Sequence, residues 1–136
     1  MAIAICICTC DRVHSLRQLL NALVGIELGS LDRGELFFLV VDNQPDRRAQ
    51  AVCDQARAQL PCPLHFAEES EQGISFARNR AVSAALAQGA DLIAFIDDDD
   101  LPCRDWLVHL VDRQRITGAD VVIGSSQPPD NLSIPK

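Results

Sequence analysis

The sequence predicts an α/β fold with an open, mostly parallel sheet of about five strands and helices on both faces. Three observations lead to this class. Apolar runs of strand length alternate with amphipathic stretches, the runs are nearly unbroken, and glycines follow several of the amphipathic stretches. Unbroken apolar strands joined by helices are typical of parallel sheets that are covered on both faces.

Each element is placed by its hydrophobic pattern and by the residues that bound it. Leucines recur at helical spacing from Leu16 to Leu23, and we expect this first helix to end at Gly29. The third helix is expected to begin with Ser75 as its N-cap. The predicted strands span 2–8, 36–41, 63–67, 91–96 and 120–124, and the predicted helices span 16–28, about 46–59, 75–88 and 105–115, the last two followed by Gly89 and Gly118.

Length and composition fit one globular domain. The chain has 136 residues, of which 48% are hydrophobic and 23% charged, enough to bury roughly two thirds of its unfolded surface. We expect the domain to occupy residues 1–125. Residues 126–136 are rich in proline and serine without apolar periodicity, and are expected to be a frayed tail or a linker.

The charge pattern excludes several function classes. A net charge of −7 without a basic cluster argues against a nucleic-acid surface, which needs concentrated Lys and Arg. The only lysine is Lys136, so the lysine of P-loop enzymes is missing. We find neither a membrane span nor a signal peptide, and therefore expect a cytoplasmic protein with its six cysteines reduced.

Four aspartates follow the fourth predicted strand directly, in the sequence FIDDDD. Two unit charges about 4 Å apart repel by roughly 4 kcal/mol at an effective dielectric of about 20. The four carboxylates must therefore be exposed to solvent, partly protonated or bridged by a cation. Carboxylates are ligands that Mg²⁺ and Mn²⁺ prefer. In an extended segment a cation could bridge Asp97 with Asp99, or Asp98 with Asp100. The alternative is a solvated acidic turn before a helix capped by Asp105.

Other polar residues are expected at the same place, because right-handed crossovers bring all strand-to-helix loops to the C-terminal edge of the sheet, where ligands bind. Asp42 ends the second strand and could accept hydrogen bonds from a base or ribose, or could simply form an Asx turn. Arg78 lies near the start of the third helix, where the helix dipole disfavours a cation. It therefore needs an external anion, or an ion pair with an aspartate of the cluster.

Taken together, these loops resemble the nucleotide-binding N-terminal half of family 2 glycosyltransferases, which have the GT-A fold, a Rossmann-like architecture. The resemblance covers about residues 3–125. Its parts are ICTCDR (7–12), VVDNQPD (40–46), EQGISFARN (71–79), and FIDDDD with the following DWL (105–107).

The resemblance implies a nucleotide-diphosphate sugar as donor, a divalent cation (Mg²⁺ or Mn²⁺), and inverting transfer to an unknown acceptor. Cys10 and Asp11 depart from the family's usual aromatic residue and Asn. The residues implied for metal binding are Asp97, Asp99 and Asp100, and those implied for nucleotide binding are Thr9, Cys10, Arg12, Asp42, Gly73, Arg78 and Asp98.

The catalytic residues stay unknown at this stage. Family members continue into an acceptor-binding region that carries the catalytic base, and we expect this chain to stop at the start of that region. The alternative function is therefore a catalytically incomplete nucleotide- or metal-binding module, with self-association through an uncovered surface. A phosphoacceptor signalling domain ranks last, since no lysine follows the fifth predicted strand.

Overall fold

The computed structural model describes residues 1–127 and has the predicted α/β architecture. Of the predicted tail, only the first two residues lie within this range. No helix of the described range is long and apolar enough to cross a membrane. In chain order the elements are β1 (Ile3–Thr9), α1 (Val13–Val24), β2 (Leu36–Asp42), α2 (Arg48–Arg57), β3 (Leu64–Glu68), α3 (Ile74–Ala87), β4 (Leu92–Phe95) and α4 (Trp106–Thr117), with a 3₁₀ turn at Arg33–Glu35.

The described strands form one parallel sheet in the order β3-β2-β1-β4. The pairing register places Thr9 beside Asp42, and Asp42 beside Glu68, so the last residues of three strands form one row. Because all strands run in the same direction, every strand-to-helix loop leaves from this edge. The sequence prediction of a parallel sheet with its loops at one edge is confirmed.

One face of the sheet packs against α1, α2 and α4. Ile3, Ile5 and Ile7 of β1 point to this side and pack in one core with the buried leucines of α1. Burying one such side chain contributes about 1.5–3 kcal/mol, so this interface supplies a large share of the folding free energy.

The opposite face of the sheet packs against α3. This helix presents Ala77, Ala81 and Ala85, all buried, to a core that includes Phe37 and Leu39. Because the three alanines recur every four residues, they form one stripe of small side chains along the helix. The stripe lets the α3 backbone lie close to the sheet.

The first helix begins and ends earlier than predicted, spanning Val13–Val24 rather than 16–28. It ends at Val24, and Gly25 rather than Gly29 is its C-cap. The later apolar residues Ile26 and Leu28 are buried, but they reach the core from a loop whose Glu27 N–H donates to the Arg104 carbonyl, 2.8 Å away. The helical spacing of apolar residues continued past the true end because the loop packs on the same core.

The predicted fifth strand is wrong. Residues 120–124 have no regular structure, and Val121 and Ile123 are 75% and 88% exposed. β-branched residues favour a strand only where a neighbouring strand supplies backbone partners. Within residues 1–127, the sheet ends at β4. The segment therefore has strand propensity without strand pairing.

The alanine stripe of α3 gives a prediction about stability. Ala81→Leu should lower the free energy of unfolding by about 1–3 kcal/mol, because the added carbons have no room between helix and sheet. Chemical denaturation followed by circular dichroism measures the change.

Ala87→Leu is the matched control. Ala87 is an exposed residue of the same helix, so the same substitution there should change the free energy of unfolding by no more than about 0.5 kcal/mol. An equal loss in both variants would contradict the close packing of α3.

Candidate functional site at the C-terminal edge of the sheet

The buried polar side chains of the described range gather at one place. Only Thr9, Asp42, Asn43 and Asp98 are both polar or charged and buried. All four lie at or just after the C-terminal ends of β1, β2 and β4. Burying polar groups is costly unless they have partners, so such a concentration marks a candidate site.

Asp42 is 2% exposed and has one oxygen without a partner. Its Oδ1 accepts a hydrogen bond from the Gln44 backbone N–H at 2.9 Å, which is the Asx turn that the sequence allowed. Its Oδ2 accepts none within the described residues. Burial raises the pKa of this carboxyl above its ordinary value. The free oxygen can accept a hydrogen bond from an N–H or O–H group of a ligand.

Asp98 joins the loop after β1 to the aspartate cluster. Thr9 Oγ1 donates to Asp98 Oδ2 at 2.9 Å, and Arg12 Nη1 lies 3.4 Å from Asp98 Oδ1 and 3.2 Å from Asp99 Oδ2. Burial raises the pKa of Asp98, and the Thr9 hydroxyl and the Arg12 charge offset part of that rise. Both carboxylate oxygens of Asp98 are therefore occupied by protein donors.

The aspartate cluster forms a tight turn. The Asp100 N–H donates to the Asp97 carbonyl at 3.1 Å. The segment is therefore not extended, which was the condition for pairing alternate carboxylates, and its backbone forms the acidic turn of the alternative. Metal binding by these aspartates stays a prediction. Asp97 and Asp99 expose 63% and 58% of their side chains. Burial, followed by the negative charges of Asp97 and Asp99, raises the pKa of Asp100.

Asp105 lies at the N-cap of α4, as expected, but does not cap it through its side chain. Its Oδ2 lies 2.8 Å from Nε2 of His109, one turn along the helix. The carboxylate therefore contacts a side chain rather than the free N–H groups of the first turn.

Arg78 connects the third loop to the aspartate turn. Its Nη2 lies 3.6 Å from Asp97 Oδ1, and the two side chains are 51% and 63% exposed. This is the ion pair that the sequence left open as the alternative to an external anion. Exposed pairs of this kind contribute about 0–1 kcal/mol, so a ligand anion can displace the aspartate at little cost.

The helix that carries Arg78 begins at a glycine. Gly73, not Ser75, is the N-cap of α3, because the first helical hydrogen bond runs from the Ala77 N–H to the Gly73 carbonyl. Gly73 has φ of +143°, and a Cβ there would lie 3.1 Å from the ring of Phe76. Only glycine adopts this backbone without strain, which is the signal that the Ser75 prediction overlooked.

Asn43 is a site residue that the sequence analysis did not assign. Its Nδ2 donates to the carbonyls of Glu69 and Glu71 at 2.9 and 2.7 Å, and its Oδ1 accepts from the Gly73 N–H at 2.9 Å. It therefore holds the loop between β3 and α3 against the end of β2. A short polar residue directly after a strand-end aspartate was the available signal.

The loops after β1 and β2 are also tied together. Asp11 has φ of +53°, a left-handed conformation that Asp and Asn tolerate better than other residues. Arg48 pairs with both Asp11 and Asp46, one from each loop. Cys10, predicted as a nucleotide-binding residue, is exposed in the loop after β1.

The cysteines of β1 belong to the core. Burial raises the pKa of Cys6 to about 12 and that of Cys8 to about 11, so both are protonated at neutral pH. All six cysteines are free thiols in the structure. Those in the strand act as small apolar side chains.

The structure thus groups most of the predicted residues at the edge of the sheet. Thr9, Arg12, Asp98 and Asp99 form one hydrogen-bonded cluster. Asp97 and Arg78 form an ion pair, while Asp42 and Gly73 are joined through Asn43, which follows Asp42 and binds Gly73. Cys10 and Asp100 have no side-chain hydrogen bond among the contacts of residues 1–127. Hydrogen-bond donors, acceptors and charged side chains of both signs therefore lie at one edge of the sheet, an arrangement suited to a polar, charged ligand.

The chain has recognisable relatives among known proteins. Residues 4–131 match the family model of glycosyl transferase family 2. The succinoglycan biosynthesis protein ExoM of Rhizobium meliloti (strain 1021) is 31% identical over 118 residues, which are 87% of this chain and 36% of ExoM. The chain therefore spans about a third of the length of this relative.

Solved structures share the fold. S. aureus TarS 1-349 aligns with a TM-score of 0.77 at 21% identity, covering 100% of this chain and 39% of that one. The mannosyltransferase PcManGT of Pyrobaculum calidifontis aligns with a TM-score of 0.65 at 20% identity, over 82% of this chain and 32% of its own. The family match over residues 4–131 shows that the chain belongs to glycosyl transferase family 2.

Proposed function

We propose that the chain is the donor-binding domain of an inverting glycosyltransferase that binds a nucleotide-diphosphate sugar at the C-terminal edge of its sheet. The observation that carries this proposal is Asp42, a buried carboxylate whose Oδ2 lacks a partner among the described residues. Family membership supports it. So do the related TarS structures, which are complexes with UDP-GlcNAc and with UDP.

The nucleoside would bind between the ends of β1 and β2. There Asp42 Oδ2 would accept a hydrogen bond from a base N–H or a ribose hydroxyl, which removes the cost of leaving a buried acceptor unpaired, about 1–3 kcal/mol. Thr9 lies beside Asp42 in the register, and Cys10 and Arg12 continue the same loop. Thr9 and Arg12 also hold Asp98, so Asp98 would support this wall of the site.

The diphosphate would bind near Arg78, at the start of α3. Its guanidinium is half exposed and pairs weakly with Asp97, so it can turn to a phosphate oxygen as the donor enters. Gly73 is the N-cap of α3 and has a positive φ that only glycine adopts without strain, so it sets where the helix, and with it Arg78, begins. A positive charge at this point would also stabilise the negative charge that builds on the leaving diphosphate.

A divalent cation, Mg²⁺ or Mn²⁺, fits the chemistry of the aspartate turn only in part. Asp97, Asp99 and Asp100 supply hard oxygen donors. Burial is the main cause that raises the pKa of Asp100, and the charges of Asp97 and Asp99 add to it; a cation would offset that repulsion. Within residues 1–127, no three His, Cys, Asp or Glu side chains lie together as a complete ligand set. Diphosphate oxygens would have to complete the coordination, as they commonly do for Mg²⁺. When bound, the cation would withdraw charge from the leaving group.

The transfer would proceed by in-line displacement. An acceptor hydroxyl attacks the anomeric carbon of the sugar, the bond from that carbon to the diphosphate breaks, and the hydroxyl proton passes to a carboxylate base. We assign no described residue to the base. PcManGT, whose structure is a complex with GDP-Man and Mn²⁺, supports a donor of this class together with a metal.

The alternative is a module that binds the donor without turning it over. Donor hydrolysis and transfer, measured with UDP- and GDP-sugars in the presence of Mn²⁺, separate the two functions. Release of UDP or GDP from the donor supports the transferase. Binding without any turnover supports the binding module.

The aspartate turn gives a prediction about metal dependence. Mn²⁺ should tighten binding of UDP or GDP to the wild-type chain in calorimetric titrations, and Asp99→Ala should bring the affinity down to its metal-free value. The fold should be intact, because the Asp99 side chain is 58% exposed.

Asp112→Ala removes an exposed aspartate of α4 and serves as the control, with metal dependence expected to stay as in the wild type. Metal dependence that survives Asp99→Ala would contradict the proposed coordination.

Asp42 gives a prediction about pH. The pKa of Asp42 is raised in the folded state, so folding favours its protonated form. The wild type therefore has the full stability that this protonated form gives below the unfolded pKa of about 3.9, and loses it as the pH rises through the folded pKa. Asp42→Asn should therefore be more stable than the wild type at pH 7, by about 1 kcal/mol or more. The difference should vanish near pH 4. Denaturation at both pH values measures it.

The same variant should lose nucleotide affinity, because an amide replaces the accepting oxygen. Glu27→Gln, which removes an exposed carboxylate of the loop after α1, is the control for both measurements and should change neither. If Asp42→Asn were less stable than the wild type at pH 7, this would contradict the conclusion that Asp42 carries an unpaired buried charge.

A further inference from the structure

We propose that Asn43 is a positioning residue, which clamps the loop between β3 and α3 so that Arg78 is presented to the donor diphosphate. The inference rests on the function proposed above and concerns a residue that would not itself touch the donor. It is carried by the hydrogen bonds of the Asn43 side chain, by its burial, and by the place of Gly73 at the start of α3.

Both the nitrogen and the oxygen of the Asn43 side-chain amide make hydrogen bonds. Its two N–H groups face the carbonyls of Glu69 and Glu71, and its oxygen faces the N–H of Gly73. A reversed amide would set its oxygen against two carbonyl oxygens and its N–H groups against an N–H group. The contacts therefore define a single orientation, which neither Asp nor Ala can reproduce.

Backbone contacts hold Asn43 itself in place. Its N–H donates to the Thr9 carbonyl at 2.8 Å, and the Glu69 N–H donates to the Asp42 carbonyl at 2.9 Å. Asn43 is 4% exposed, so water competes little for these bonds, which are stronger in a low-dielectric setting. The loop is thereby fixed relative to the ends of β1 and β2.

The clamp reaches Arg78 through the helix. Gly73 is the N-cap of α3 and receives its first helical hydrogen bond from Ala77, so Arg78 lies just over one turn beyond the clamped residue. A helical turn is stiff, and a displacement of Gly73 moves Arg78 with it. A misplacement of about 1 Å at a binding group can cost about a hundredfold in rate.

The loop has few other ties. Gln72 Nε2 contacts Gln44 Oε1 between two exposed side chains, and the Glu71 N–H donates to the side chain of Glu69 within the loop. Gln72→Ala thus removes a contact between the same two loops while leaving the clamp whole. It is the matched control for Asn43→Ala.

The test measures loop protection and diphosphate affinity in the full 136-residue chain. In hydrogen–deuterium exchange, Asn43→Ala should lose protection over residues 69–73, and Gln72→Ala should keep it. Calorimetry with Mn²⁺ and UDP, or GDP if that is the tighter ligand, should show binding about tenfold or more weaker in Asn43→Ala and within about twofold of the wild type in Gln72→Ala.

A double-mutant cycle with Arg78→Ala distinguishes positioning from a general structural role. If Asn43 acts through Arg78, the double variant should bind no more than about twofold more weakly than Arg78→Ala alone. If Asn43→Ala fails to fold, Asn43→Asp takes its place. It keeps the size of the side chain and the acceptor for Gly73 but loses both donors, so the same pattern is expected.

The outcomes separate this inference from the proposed function. If the wild-type chain binds neither diphosphate, the proposed function fails and the positioning role fails with it. If the wild type binds but the Asn43 variant binds equally well, only the positioning role is overturned. The same holds if protection of the loop is unchanged, or if the losses from Asn43 and Arg78 simply add.

Discussion

Parallel pairing of β1 with β2 on one side and with β4 on the other is the constraint on which the rest of the structure depends. It sends every strand-to-helix loop to one edge and places Thr9 beside Asp42. Residues far apart in sequence, such as Thr9 and Asp98, then come within hydrogen-bonding distance. Each loop contributes only a few of the polar residues. The common direction of the strands brings these residues together at one edge.

The edge carries opposite charges close together. Arg12 pairs with two aspartates of the turn, Arg78 with a third, and Arg48 with both Asp11 and Asp46. In a chain with a net charge of −7, these arginines reduce the repulsion between neighbouring carboxylates. Most of these pairs are exposed, and exposed pairs are weak and exchangeable, so the same arginines can turn to an anionic ligand.

Two kinds of buried polar group meet at the edge. Asn43 is satisfied by three hydrogen bonds and makes the edge rigid, whereas Asp42 keeps one oxygen free within the described residues. The hydrogen bonds of Asn43 stabilise the fold, whereas the unpaired oxygen of Asp42 destabilises it. Strain or unpaired groups that persist in a fold are typical of binding sites, where a ligand completes the contacts.

The sequence by itself determined the α/β class, four of the five predicted strands and the acidic character of the edge, because apolar runs and strand-end aspartates are local signals. The tertiary structure decided the rest. Helix α1 ends at Gly25 because the following apolar loop packs on the same core, and residues 120–124 are no strand because propensity does not supply a pairing partner. The clamp of Asn43 joins groups 26 to 30 residues apart, and no local pattern encodes contacts at that separation.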